Sequence, residues 1–434
     1  MSLRMLGGLL LVTMIVVPSI AAETPPGGVY AIINASTTGT VSAAQPIVRE
    51  SLKNSGVDGL LIHLRWNAIN PDHGTFAWAP LDAAIAILKH RPANLNKRFE
   101  IGIVTGGAMP LWITKPPFNA PSEEFFFNRA VGGGCTSFVM AAPYNAVYLN
   151  AFSELLHHLS VHLHKIGEYE HLGMLKLDGM TTTTDELRLP ALDQCNMPRE
   201  KTTIEKWRAL GYKPKNIRKA WDTMLQAFLQ YFPEKSFNIG YIAFNAFPGI
   251  TNAGIPASDP KAASARLVTE LIEDAGGAMP GHLALGFDSL VLNPKGSQSY
   301  AEYESAFFSD AAAGSARLGW QTNELYGDDL KTGGAACGGT TPANRTPCKS
   351  SAAFRAMLFA GIYPQGKAST PANMQGVYLE LFPQNINCFP PAVSSAHANL
   401  ASWNNTKPAT AGTSTFPAPT SSGACDSSCP TSCE

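Results

Sequence analysis

Charge is scarce in this 434-residue chain. Asp, Glu, Lys and Arg make up 15% of it, against roughly 25% in an average soluble protein. Neither sign is in surplus, since 32 Lys and Arg face 33 Asp and Glu for a net charge of −1. That balance argues against nucleic acid as the main partner, because binding a phosphate backbone needs a basic surplus on at least one face. Beyond the first residues no run is apolar enough to cross a bilayer. No internal repeat is visible. No Gly-x-Gly-x-x-Gly turn follows any early strand candidate, which argues against a dinucleotide site on an open sheet. Loop formers and apolar residues, by contrast, are plentiful. The 38 glycines and 32 prolines imply many loops, and 45% hydrophobic residues suffice for a large core. Disorder throughout is excluded.

The N-terminus reads as a secretory signal over residues 1–22. Arg4 supplies a positive start, Leu6–Val17 a short apolar stretch, and Ser19 and Ala21 the small residues before a cleavage site after Ala21 or Ala22. No Cys follows the apolar stretch, so a lipid anchor is not expected. These features predict an exported chain, secreted or periplasmic, with no membrane attachment after cleavage. In such a compartment the eight cysteines read as disulfides before metal ligands. Cys337 and Cys348 enclose a short Gly/Thr/Pro-rich loop, and Cys135 and Cys195 lie in separate long loops. Cys388 and the spaced cysteines Cys425, Cys429 and Cys433 remain, with no His near them to suggest a metal site. Residues 391–434 turn to Ser, Thr, Ala and Pro and read as a low-complexity tail. Asn34, Asn344 and Asn404 head Asn-x-Ser/Thr sequons, which matter only in a host that glycosylates exported chains.

Between the signal and the tail, β-rich apolar runs alternate with helical patterns. The strand candidates are Gly28–Asn34, Gly59–Arg65, Phe99–Thr105, Met174–Met180, Phe237–Phe244, Leu283–Leu292, Arg317–Asn323 and Gln375–Phe382. Several are nearly all apolar, as parallel strands covered by helices should be. Helical stripes follow: Leu81, Ile85 and Leu88; Phe152, Leu155, Leu156, Leu159 and Leu163; Trp207–Phe232; Ala262–Ala275; Tyr300–Ala313; and Ser350–Ile362. Repeated β-then-α units force right-handed crossovers and a parallel sheet. Eight of them predict one α/β domain over residues 26–390, a (β/α)8 TIM barrel whose chemistry belongs at the C-terminal strand tips.

Carboxylates occur at two of those tips. Asp185-Glu186 follows four threonines after strand four, and Asn323-Glu324 ends strand seven. A facing pair of carboxyls is what glycosidic hydrolysis needs, one to protonate the leaving oxygen and one as nucleophile or base. Arg65 and Trp66 at strand two, Trp112 after strand three, Asp185 after strand four, Asn245 after strand five, Trp320 and Asn323 in strand seven and Glu380 in strand eight are candidate sugar contacts. Asp288, near strand six, is a weaker one. Bland readings stand beside these. Glu186 can be a solvated loop residue, Glu324 a helix-start carboxylate, and the three tryptophans core packing. Glu380 needs a partner such as Arg65 if buried. Histidines 157, 158, 162 and 164 crowd one outer helix without an intervening glutamate of the HExxH type, and read as a polar face rather than a metal site.

The segment Arg65-x-x-x-Ile69-x-Pro71-x-x-Gly74-x-Phe76-x-Trp78-x-x-Leu81-Asp82 resembles the strand-two region of clan-A retaining glycoside hydrolases, a group that includes cellulases, mannanases and β-galactosidases. Pro110-x-Trp112, Pro143-Tyr144-Asn145, Gly211-Tyr212 and Phe232-Pro233 are similar to turns of the same group. The resemblance implies Glu186 as acid/base, Glu324 as nucleophile, an oligosaccharide, polysaccharide or glycoside substrate, and a monomer without metal or organic cofactor. One departure is clear: the clan has Asn before its acid/base, where this chain has Asp185. Asp185 would then raise the Glu186 pKa by like-charge repulsion. A barrel that binds glycan without cleaving it is the alternative that the departure favours. A metal-dependent barrel hydrolase is disfavoured, since the only His in a strand near a tip is His63.

Overall fold

Eight parallel strands close on themselves in a computed structural model of the chain. Residues 27–128, 135–195, 200–290, 298–322, 351–362 and 376–405 are described. The barrel strands are β1 (Gly28–Asn34), β2 (Gly59–Arg65), β3 (Arg98–Val104), β6 (Leu172–Lys176), β7 (Ser236–Tyr241), β8 (Leu283–Leu290), β9 (Arg317–Thr322) and β10 (Gly376–Leu381). Their order around the wall is β1-β10-β9-β8-β7-β6-β3-β2. Every expected barrel strand is present, so β6 is the barrel's fourth strand and β9 its seventh.

Alternation along each strand sorts two layers of side chains. Val29, Ala31 and Ile33 of β1, Leu60, Ile62 and Leu64 of β2, and Phe99, Ile101 and Ile103 of β3 join the large core shared with the helices. The opposite faces fill the barrel. Tyr30, Met174, Ala284 and Tyr378 form a small separate apolar layer inside it. Toward the strand C-termini that interior turns polar, which is where the site begins.

Between the strands, the expected helices form. Ala146–Ile166 starts at Asn145, whose side chain accepts from the Val147 N–H, and stops at Gly167 in the left-handed region. The single helix expected over Trp207–Phe232 is two, Thr203–Ala209 and Pro214–Tyr231. Gly211, with φ of 78°, turns the chain between them, and Pro214 suits the first turn of the second. The four clustered histidines go to different aromatic rings. His157 packs on Tyr231, His158 on Phe76, His162 on Trp78 and His164 on Tyr169.

Two regions depart from expectation. The stretch read as a long loop before Ala142 holds an antiparallel hairpin, β4 (Ser122–Asn128) and β5 (Cys135–Ala141). Phe125 anchors it by stacking on Trp207 at 4.7 Å. Cys135 bridges to Cys195 with their Cα atoms 5.8 Å apart, joining the two segments read as separate long loops. The second departure corrects the tail boundary at residue 391, because a helix runs over Pro390–Asn405. Its Ala392, Val393, Ala396 and Leu400 are buried in the core. Asn54 donates to the Pro390 carbonyl, and His397 Nδ1 lies 2.9 Å from Asp58. Small Ala and Ser side chains gave this helix the composition of a linker, yet their smallness is what lets it pack closely. Residues 1–26 and 406–434, and Cys337 with Cys348, lie outside the described residues. No helix among the described residues is long and apolar enough to cross a membrane.

Candidate active site

The fourth barrel strand ends early and is completed by a later segment. After Lys176 the Leu177 N–H still donates to Asn238 of β7 at 2.7 Å. Asp178 then leaves the wall, its carboxylate accepting from the Ile103 N–H of β3. Burial, and then the nearby Asp185 charge, push this Asp178 carboxyl well above its ordinary range. The threonine run that follows is pinned to the end of β3. Thr105 N–H donates to Thr181 Oγ1 at 2.9 Å, and Gly107 N–H to the Thr182 carbonyl at 2.6 Å. The chain returns at Glu186, which bridges in parallel to Gly240 of β7. Leu187 N–H donates to the Gly240 carbonyl at 2.8 Å and fixes the return. A Cβ on residue 240 would come within 2.9 Å of the Glu186 Cα, so glycine admits the returning strand. Glu186 therefore stands at the strand-four tip although the strand proper stops at Lys176.

Glu186 is 12% exposed, and its Oε2 lies 3.2 Å from Arg188 Nη2. Arg188 also donates to Thr184 Oγ1 at 2.6 Å, and its guanidinium sits 5.4 Å from the centre of the Phe127 ring. Phe127 belongs to the hairpin, and the Cys135–Cys195 bridge ties that hairpin to the segment following Arg188. The rim is thereby cross-linked beside the glutamate.

Beneath Glu186 the barrel holds a buried ionic cluster. Lys176 Nζ lies 2.6 Å from Asp185 Oδ2 and 3.0 Å from Glu380 Oε2. It also reaches Gln321 Oε1 at 3.4 Å. Asn238 Nδ2 donates to the other Glu380 oxygen at 3.2 Å. On the mouth side, His63 Nε2 is 3.1 Å from Asp185, and the imidazole is 18% exposed. Burial alone would raise the Asp185 carboxyl, but His63 and Lys176 outweigh it and hold it well below the ordinary carboxylate range. Glu100 is pushed the other way, by burial first and then by the charge of Glu380. Neither Glu100 oxygen has a hydrogen-bond partner among the described residues, a setting that a neutral carboxyl tolerates better than a charged one. Gly102 makes the room, since a Cβ there would meet the His63 ring at 3.2 Å and the Lys176 stem at 3.3 Å.

Several expected contacts are corrected by this geometry. Trp66 is fully buried, edge-on to Tyr148 at 5.1 Å and Phe152 at 5.5 Å. Trp320 faces the helices among Phe287, Phe307 and Phe308. Both tryptophans are core, because each occupies a position whose side chain points away from the barrel axis. Glu380 is buried, and its cation is Lys176 rather than Arg65, which lies out at the end of β2. Arg65 itself is exposed there and makes no ion pair among the described residues. The Asp185 charge is compensated by Lys176 and His63, so it is not an open like charge beside Glu186. Trp112 is half-buried in a rim cluster with His73 at 5.2 Å and Phe118 at 5.0 Å. Asn245 is exposed after β7 with a left-handed φ of 56°. Asn323 and Glu324 lie outside the described residues.

Lys176, Glu100 and Asn238 were not singled out from the sequence. Each does break an otherwise apolar strand, and a charged or amide residue amid Met-Leu-x-Leu or Phe-x-Ile is the available signal. Among the described residues no group of three or more His, Cys, Asp or Glu side chains is disposed to hold a metal ion.

No family model and no curated protein matches this sequence. Solved structures with a similar fold include a GH5_18 protein from Streptomyces cattleya in complex with GlcNAc. It is 11% identical with a TM-score of 0.47, over 90% of this chain and 82% of that one. A β-galactosidase from the psychrophilic Marinomonas ef1 is 10% identical with a TM-score of 0.43, over 86% of this chain and 59% of that one. An endo-β-mannanase/endo-β-glucanase of Prevotella bryantii is 11% identical with a TM-score of 0.41, over 86% and 48%. The chain thus spans about half the length of the last two.

Proposed function

We propose that the protein is an exported glycoside hydrolase that cleaves a β-glycosidic bond with retention of configuration. The observation that carries this reading is the return of the chain at Glu186, in register with Gly240, at the mouth end of the fourth strand. Barrel chemistry belongs at that end. A detour that leaves the wall and comes back only to seat Glu186 has little purpose as a plain loop. The disulfide between Cys135 and Cys195 fits an oxidising compartment, and with it the signal over residues 1–22.

In this reading Glu186 donates a proton to the leaving oxygen while Glu324 attacks the anomeric carbon, giving a covalent glycosyl-enzyme. Glu186 then takes a proton from water, which attacks the same carbon and releases the sugar with the original configuration. Arg188, 3.2 Å from Glu186, orients the carboxyl. Arg65 and Asn323 supply hydrogen bonds to sugar hydroxyls, and Trp112 offers a ring face. The two carboxyl groups should then lie about 5–5.5 Å apart. A 2-deoxy-2-fluoro aryl glycoside tests the chemistry, because a retaining enzyme accumulates the glycosyl-enzyme. The adduct is expected on the peptide holding Glu324. An initial product of inverted configuration, read by proton NMR, would overturn the mechanism.

A second reading rests on Asp185. Its carboxylate is engaged by Lys176 and His63 and is not open to a sugar hydroxyl. A barrel that binds glycan without turnover accommodates that engagement, and it predicts no adduct and no hydrolysis.

A further inference from the structure

We propose that Lys176 is a positioning residue for Glu186, closing the chain's detour by holding Asp185 inside the barrel. The inference rests on the role assigned to Glu186 above. Lys176 is the last residue of β6, and Asp185 immediately precedes Glu186. The 2.6 Å contact between them therefore joins the two ends of the detour. Between those ends the backbone is held to the tip of β3 through Thr181 and Thr182, and only its return at Glu186 and Leu187 rejoins β7. Asp185 is thus the side-chain anchor that adjoins the glutamate on the detour's side.

An anchor must itself be fixed, and Lys176 is. Glu380 and Gln321 hold its ammonium from β10 and β9. Asn238 orients the Glu380 carboxylate from β7. Lys176 and Glu380 are each 1% exposed and Asp185 6%. Charges so covered are weakly screened, and the position of each is dictated by its partners. His63 completes the hold on Asp185 from the mouth side at 3.1 Å. An aspartate suits this site because its charged oxygen lies 2.6 Å from Lys176 and 3.1 Å from His63, an electrostatic hold that a neutral asparagine cannot supply. The departure at residue 185 from the clan's Asn is thereby explained. The charge of the preceding residue is directed inward, to hold the backbone on which Glu186 is carried.

Two variants test the proposal. Asp185→Asn keeps the side-chain shape while removing the charge. The Lys176→Met/Glu380→Gln double variant removes one charge of each sign together and leaves Asp185 with His63 alone. Each is followed by amide hydrogen exchange at Leu187, whose N–H is donated to Gly240, with the β7–β8 ladder as control. Each is also followed by kcat and KM on those 4-nitrophenyl glycosides that the unaltered protein cleaves. Exchange at Leu187 is expected to rise about tenfold or more while the ladder stays protected. With it kcat should fall about a hundredfold at nearly constant KM. Unchanged Leu187 protection in a folded variant of either kind overturns the proposal. So does equal loosening across the ladder, which would make the cluster a general plug. Full turnover by Glu186→Gln would instead defeat the role of Glu186, and the exchange measurement would still decide the position of the chain.

Discussion

Glu100 of β3 and Glu380 of β10 share the buried interior of the barrel, where burial first and then the Glu380 charge push the Glu100 carboxyl well above its ordinary range. The folded chain thus holds a proton that an unfolded glutamate, with an ordinary value of 4.5, releases on the alkaline side. The sign follows: the stability contributed by this group is fully present below the unfolded value and is lost as pH rises toward the folded one. The loss runs at about 1.4 kcal/mol per pH unit. Glu100→Gln, which keeps a donor without a titrating proton, should be more stable than the parent at pH 7 and indistinguishable from it near pH 4. Thermal melts across that range check it.

Asp185 acts in the opposite direction. Its folded value is held well below the ordinary 3.8, so its contribution is present above that value and disappears as pH falls through the folded one. The parent should accordingly lose stability below about pH 4, and Asp185→Asn should flatten that acid limb. Denaturant midpoints between pH 2 and 5 measure the difference.

The Cys135–Cys195 bridge closes a loop with a sequence separation of 60 residues. Replacing both cysteines by serine should cost about 2–4 kcal/mol. The loss should be felt first in the hairpin, as faster proteolysis between β4 and β5. Arg188 should also lose its seat on Phe127, so catalytic turnover should fall before the barrel melts.

The tryptophans separate core from rim. Trp66→Ala and Trp320→Ala should each destabilise the protein by about 3–5 kcal/mol, since each empties a closed aromatic pocket. Trp112→Ala should spare the fold and raise KM on aryl glycosides, a loss of about 1 kcal/mol of stacking. Urea midpoints alongside KM values distinguish the two classes.

The C-terminal helix is also open to test. Val393 is fully buried within it, and Val393→Asp should cost about 3 kcal/mol or more by burying an unpaired carboxylate. If Pro390–Asn405 were a solvated tail, the same change would leave the melting temperature unmoved.

The barrel was legible because its strands are apolar on both faces for most of their length and its helices carry clear stripes. What failed to show was direction. Trp66 and Trp320 sit at or beside strand tips, yet side chains alternate in and out along a strand, and a shift of one residue moves an indole from mouth to core. Glu380 was recognised as needing a cation, but the nearer one, Lys176, belongs to a strand far away in sequence. The Pro390–Asn405 helix was hidden by its composition, and the hairpin by strand runs of alternating exposure that resemble a loop. Glu186, by contrast, is a candidate because barrel chemistry is expected at strand tips, and its backbone bridges to Gly240 of β7. Its distance past the end of β6 is explained by the detour, which no spacing rule anticipates.

Glu186 and Glu324 are proposed as the hydrolytic pair. The most direct measurement is turnover of a panel of 4-nitrophenyl β-glycosides by the parent, Glu186→Gln and Glu324→Gln, with folding checked by circular dichroism. Hydrolysis by the parent is expected, with a loss of about a thousandfold or more in Glu324→Gln. For Glu186→Gln a smaller loss is expected on substrates whose leaving group needs no proton. A parent that binds glycans but turns over none of the panel, or variants as active as the parent, would contradict the proposal.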